Sequence, residues 1–291
     1  MRGTNPFPAD KRMTDVVVES LHVYPVKGCR GIDVARADVA TTGLAVAGVA
    51  DREWMVVDGA GRFVTQREHP QLALVATAAR EGVLTLSAPG RPPLVLDGRA
   101  GATREVVVWR SAVRGFDAGD AAAAWLSTHL GVDVRLVRFD RSGVRPCNPD
   151  YAGDSGAHTL FADSYPLLVI GAASLADLNA RMTARGFPAL PMNRFRPNLV
   201  LAGLPAYDED HLDEITVGDV VLRCVKPCTR CRVTTTDQAT AHVGHEPLRT
   251  LAAYRMDPRF DGVTFGMNAI VVAGAGGSLA AGAPGEAAYR F

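Results

Sequence analysis

Short stretches in which apolar and polar residues alternate, or in which β-branched residues crowd together, recur along most of this chain. VVVESLHVYPV (16–26) is one such strand-like run. REWMVVD (52–58) and RFVTQ (62–66) flank the turn GAG and predict a hairpin. LALVATAAR (72–80) and VLTLSA (83–88) flank Glu81-Gly82 in the same way, and PLVLDG (93–98), REVVVWR (104–110) and DVRLVRF (133–139) continue the series. Helical spacing first takes over at DAAAAWLSTHLG (120–131), rich in helix formers and stopped by Gly131.

Beyond a polar, turn-rich stretch at 140–158, strand-like patterns return at 159–171, 198–203, 215–225, 232–237 and 268–274. A helix over 174–186 is predicted, with Ser174 as its cap and Asp177 in the position of a capping-box acid, and a second over 246–256. Many short strands with few helices predict a mainly β protein with some α (α+β), barrel-like, with helical cover. Residues 1–13 lack any period and are expected to be a disordered tail, with Met13 a candidate natural start.

Composition narrows the class. Of 291 residues 47% are hydrophobic, and 31 basic residues balance 31 acidic ones, so no global charge favours nucleic acid or an anionic membrane surface. The N-terminus lacks a secretory h-region and no run reaches the length of a membrane span, which predicts a cytoplasmic protein. Five cysteines, an odd number, argue for reduced or metal-bound thiols over a disulfide framework.

Chemistry concentrates at KPCTRC (226–231), where one of only three lysines precedes a C-x-x-C. Three readings fit the pair. A redox dithiol needs a helix after the second cysteine, and the β-branched RVTTTD that follows predicts a strand. A zinc site could draw on Cys228, Cys231, His242 and His245, although both spacings depart from the usual finger pattern. Two buried, inert thiols form the third reading. What distinguishes the pair is its company: Lys27 and Arg30 sit beside Gly28 and Gly31 in YPVKGCRG, a plausible anion cradle, while DREW (51–54) and NRFRPN (193–198) add arginines next to strands.

YPVKGCRG, DREWMVVD, TQREHPQLALV, ASLADLN, NRFRPNLVL, KPCTRCRVTTTD and FGMNAIVV occur in an order that resembles the MOSC-domain molybdenum proteins. The likeness, over roughly 14–275, is to the N-terminal β-barrel plus MOSC architecture of the mitochondrial amidoxime-reducing component and its bacterial relatives. It implies a β-rich N-terminal domain at 14–140 and a MOSC β-barrel at 141–285, with the strand at 16–26 packing into the barrel. It also implies a molybdenum-pyranopterin cofactor (Mo-molybdopterin), with Cys231 as the metal ligand and catalytic centre. Thr229 and Arg230 would lie along the pterin, and Lys27, Gly28, Arg52 and Arg196 would hold its phosphate. Asp163 and Ser164 complete the implied set.

The implied activity is an oxidoreductase reducing N-hydroxylated or N-oxide small molecules with electrons from a separate ferredoxin- or cytochrome-type donor. A sulfur carrier using Cys231 and a zinc-stabilised binding module are the rivals. Two departures stand out: Gly28 replaces a serine found in several relatives, and no plant-type C-x4-C-x2-C spacing is present, so no fused ferredoxin is expected.

Overall fold

The computed structural model describes residues 12–98 and 101–290. The tail expected at 1–13 lies outside the described residues up to Lys11. Met13, by contrast, already belongs to a strand, Met13–Val23, where it pairs with Ala288. Alternation builds that strand, but with a slip of phase: Val16 and Val18 point inward, then Leu21 and Val23 do. Its register against Leu199–Ala202 shifts between Val18 and Ser20. A bulge there absorbs one residue and keeps both apolar pairs on the buried face.

Seven strands close into a barrel. Met13–Val23 pairs with Leu199–Ala202 on one side and Pro284–Tyr289 on the other. The ring continues through Leu212–Val217, Val220–Thr229 and Gly262–Ala273. Leu167–Gly171 joins the two ends, antiparallel to Gly262–Ala273 and parallel to Leu199–Ala202. The parallel pair needs a crossover, supplied by the helix Ala172–Ala184. Val16, Leu21, Val169, Leu201, Leu222 and Met267 belong to the barrel's apolar core.

A second β-rich lobe is built from a five-stranded sheet, a three-stranded sheet and the helix Asp120–Leu130. The five-stranded sheet includes Trp54–Val57, Thr103–Val108, Ser111–Asp117 and Arg135–Phe139. Val26–Lys27, just past the first barrel strand, pairs in parallel with Trp54 and Met55 and so carries the chain from the barrel into this sheet. The hairpin expected around Glu81-Gly82 forms, with Ala76–Arg80 and Val83–Ser87 joined through left-handed backbone at Glu81 (φ 50°) and Gly82 (φ 79°), as a two-residue turn of this kind requires.

Four local expectations are corrected. The run 62–66 makes no strand, only single bridges at Arg62 and Phe63, because Trp54–Val57 already has Arg135–Phe139 on one edge and Val26–Lys27 on the other. Residues 159–166 form a loop, and the strand begins at Leu167. Ser174 is not the cap of its helix, which starts at Ala172. Its hydroxyl is buried and donates to Glu209 Oε2 at 2.6 Å. The Glu209 carboxyl, brought from a distant loop, sits against Gly171 at the helix N-terminus and takes the role expected of the local side chains. Finally, Arg232–Thr235 is one turn of 3-10 helix rather than a strand. The Thr234 and Thr235 hydroxyls donate to the carbonyls of Cys231 (2.9 Å) and Arg232 (2.8 Å), and such back-bonding competes with an extended ladder.

Candidate active-site cleft

One cleft between the barrel and the second lobe is lined by all nine residues singled out from the sequence: Lys27, Gly28, Arg52, Asp163, Ser164, Arg196, Thr229, Arg230 and Cys231. Each arrives for a local reason. Lys27 is carried on the two-residue strand that links the lobes, and Gly28 turns the chain immediately after it with φ 86°, a conformation glycine adopts without strain. Thr229 ends a barrel strand, so the strand's own direction delivers Arg230 and Cys231 to the cleft. Asp163 and Ser164 come from the loop that precedes Leu167–Gly171.

Arg52 and Arg196 both sit on left-handed backbone, at φ 48° and 57°, uncommon for residues with a Cβ and worth noticing where two coincide at one site. Their guanidiniums lie 4.3 and 4.4 Å from the centre of the buried Tyr24 ring. Asp51, also buried, accepts from Arg52 Nη1 (2.5 Å), from Asn198 Nδ2 (2.9 Å) and from the Tyr24 N–H (2.8 Å). Burial works against the Arg52 charge, but Asp51 beside it holds its pKa above the usual value. Arg196 donates to the Cys29 carbonyl at 2.7 Å and has no carboxylate among its hydrogen-bond partners, and burial lowers its pKa.

Lys27 Nζ donates to the Phe161 carbonyl at 2.8 Å and pairs with Asp163. Burial pulls the ammonium's pKa down, and the Asp163 charge opposes that. Burial likewise raises the Asp163 carboxyl, but Lys27 and the Trp109 indole N–H, 3.0 Å away, outweigh it and hold the group well below the usual carboxylate range. Behind the loop, buried Arg145 donates to the carbonyls of Leu160 (3.0 Å), Ala162 (2.5 Å) and Asp163 (2.7 Å) and fixes its path. The two lobes are also joined by a reciprocal amide pair, Gln66 and Gln238, at 3.0 and 2.9 Å.

The cysteines divide sharply. Cys29, Cys147 and Cys224 are buried, and burial pushes their thiols up to about 12, 11 and 12, which leaves them inert as nucleophiles or ligands. Cys228 and Cys231 are half-buried on the cleft wall. Arg230 Nη1 lies 2.9 Å from the Cys228 sulfur, and the main chain of Cys231 starts the 3-10 turn. That single turn is too short to supply the long helix of a dithiol site. No three His, Cys, Asp or Glu side chains gather as a metal site among the described residues, so Cys228, Cys231, His242 and His245 do not assemble a zinc centre.

Residues 15–133 match the MOSC N-terminal beta barrel domain and residues 156–284 the MOSC domain. The chain belongs to the MOSC family. Among its relatives, mitochondrial amidoxime reducing component 2 of Bos taurus is 36% identical over 249 residues, covering 83% of this chain and 73% of that protein. Mitochondrial amidoxime-reducing component 1 of Homo sapiens is 36% identical over 250 residues, with the same coverage of 83% and 73%. The molybdenum cofactor sulfurase of Oryza sativa subsp. japonica is 31% identical over 269 residues, covering 85% of this chain but 32% of that protein. Among the described residues of this MOSC protein no helix is long and apolar enough to cross a membrane.

Several residues that shape the MOSC cleft carried no signal of their own. Arg145 is one arginine in a loop without period. Gln66 and Asn198 lay within quoted motifs, yet nothing in a neutral amide's sequence context announces a partner 172 or 147 residues away.

Proposed function

We propose that the cleft binds a molybdenum-pyranopterin cofactor and that the protein reduces N-hydroxylated or N-oxide small molecules. The observation that carries this reading is the composition of the cleft wall. Lys27, Arg52, Arg67, Arg196 and Arg230 face one lining carboxylate, Asp163, in a chain whose formal charge is zero, and two half-buried thiols share the same wall. Arg230 Nε is buried with no partner, a donor left for a ligand to satisfy.

The donor set fits the cofactor. With no cluster of protein ligands, a metal here must bring its other ligands with it, and a thiolate suits a soft centre held on a sulfur-bearing carrier. Cys231 would give that thiolate. Lys27, Arg52 and Arg196 would hold a terminal phosphate, point charge and planar forks together, and the Gly28 turn lets backbone approach it. Thr229 and Arg230 would flank the pterin, and the Asp163 carboxylate, with Ser164 beside it, would accept from ring N–H donors. When bound, the cofactor supplies a two-electron redox centre. In the overall reaction an N–OH group takes up two electrons and two protons, its N–O bond breaks, and water leaves. The chain's part is to anchor, orient and partly shield the reacting group.

Coverage favours this reading over a sulfur carrier, since the chain spans 73% of the amidoxime-reducing relatives but 32% of the sulfurase. Electrons would come from a separate ferredoxin- or cytochrome-type protein, because no four of the five cysteines have iron–sulfur spacing and no G-x-G-x-x-G opens a helix after a strand. The test is reduction of benzamidoxime by the cofactor-loaded protein. A chemical donor such as reduced viologen should support turnover and NADH alone should not. No turnover with either donor would overturn the proposal.

A further inference from the structure

Trp109 stands out among the three tryptophans. Trp54 and Trp125 are 3% and 6% exposed, whereas Trp109 is 45% exposed. It occupies the two-residue reversal between Thr103–Val108 and Ser111–Asp117, where Val108 pairs with Ser111. Its backbone is left-handed (φ 56°), a conformation that turns of this kind normally assign to glycine or asparagine. The fold thus holds a large aromatic residue in an unfavourable conformation at the cleft's edge. Local turn chemistry gives no reason for it.

Its surroundings supply one. The Trp109 ring lies 5.0 Å from that of Phe63, tilted by 55°, and Arg67 sits over the indole at 4.7 Å. Lys27 is 5.3 Å from the centre of the Phe63 ring. A groove beside Phe63 and Trp109 runs into the main cleft, with Phe63, Val64, Thr65 and Arg67 lining both. We propose that Phe63 and Trp109 form the substrate subsite of the cleft, receiving the flat aromatic body of a neutral or anionic N-hydroxylated substrate whose N–O group is directed toward Cys231. Ring–ring contact favours a planar aromatic occupant over an aliphatic one, and Arg67 and Lys27 disfavour a cationic one. This subsite rests on the reductase reading above.

The experiment compares benzamidoxime with acetamidoxime as substrates for the cofactor-loaded wild type, Trp109→Ala and Trp109→Phe, with reduced viologen as donor. The aromatic-over-aliphatic ratio of kcat/KM should fall about tenfold in Trp109→Ala through the KM for benzamidoxime, and should stay within about threefold of wild type in Trp109→Phe. An unchanged ratio in Trp109→Ala overturns the subsite. So does an equal fall in Trp109→Phe, because the indole N–H to Asp163 would then be the part that matters. If the wild type reduces neither compound, the reductase reading fails, and the subsite is decided by calorimetric titration with benzamidoxime. Binding weakened about tenfold in Trp109→Ala and retained in Trp109→Phe supports it, and no binding, or equal binding by all three proteins, overturns it.

Discussion

Lys27 and Asp163, 136 residues apart in the chain, form an ion pair on the wall of the cleft. The lysine comes from the strand that crosses between the lobes and the aspartate from the loop entering the barrel strand Leu167–Gly171, so the pair exists only when the lobes are docked. Because burial already works against the ammonium, a second anion near Lys27 would be strongly attracted and the charged form reinforced. Lys27→Ala and Arg196→Ala should each remove a charge-assisted contact of about 1.5–3 kcal/mol to the cofactor's phosphate. Molybdenum content after dialysis should fall in each single variant and further in the double variant. Full retention in the double variant would show that the phosphate lies elsewhere.

The two half-buried thiols should behave differently. Cys231→Ser replaces a soft, ionisable ligand with a hard hydroxyl and should abolish reduction of an amidoxime while leaving the circular dichroism spectrum and Tm near wild type. Cys228→Ser should lose much less, since its partner Arg230 Nη1 can donate to a hydroxyl as well as to sulfur. Equal losses would return the pair to a joint role as a dithiol.

Gln66 and Gln238 exchange both amide hydrogen bonds in a buried position between the lobes. Gln238→Ala leaves the Gln66 amide short of a donor and an acceptor and should cost about 1–3 kcal/mol of stability. A urea titration checks this, and Gln66→Ala combined with Gln238→Ala should cost clearly less than the sum of the single changes.

A pH effect is expected away from the cleft. Burial raises the Asp117 carboxyl, but Arg135 and Arg104 and the Gly119 N–H outweigh it and bring its pKa down from 3.8 to about 2. A carboxyl whose pKa is lower folded than unfolded stabilises the fold above its unfolded value and loses that contribution as pH falls through its folded one. Asp117, whose side chain is 5% exposed, should therefore contribute about 2 kcal/mol at neutral pH. The stability deficit of Asp117→Asn, measured by urea unfolding, should be near that value at pH 7 and shrink steadily between pH 4 and pH 2. A deficit independent of pH would contradict it.

The barrel was largely legible in the sequence because alternation is a local property that survives in each strand, as Val16, Val18, Leu21 and Val23 show even across a bulge. Where expectations failed, a distant partner had overruled local pattern. Glu209 displaced Ser174 as the cap, and two occupied strand edges left 62–66 as a loop. Lys27, Arg196 and Cys231 could be singled out from rarity, glycine turns and family motifs. Arg145 and the Gln66–Gln238 pair could not, since their roles are defined by carbonyls and amides that only the folded chain brings near.

The central claim is that this cleft holds molybdenum on a pterin. Metal and pterin analysis of the protein purified from a host that makes the cofactor tests it most directly. The account predicts about one molybdenum and one pterin per chain, both greatly reduced when Lys27 and Arg196 are replaced together. Stoichiometric zinc, or neither molybdenum nor pterin in well-folded protein, would contradict it.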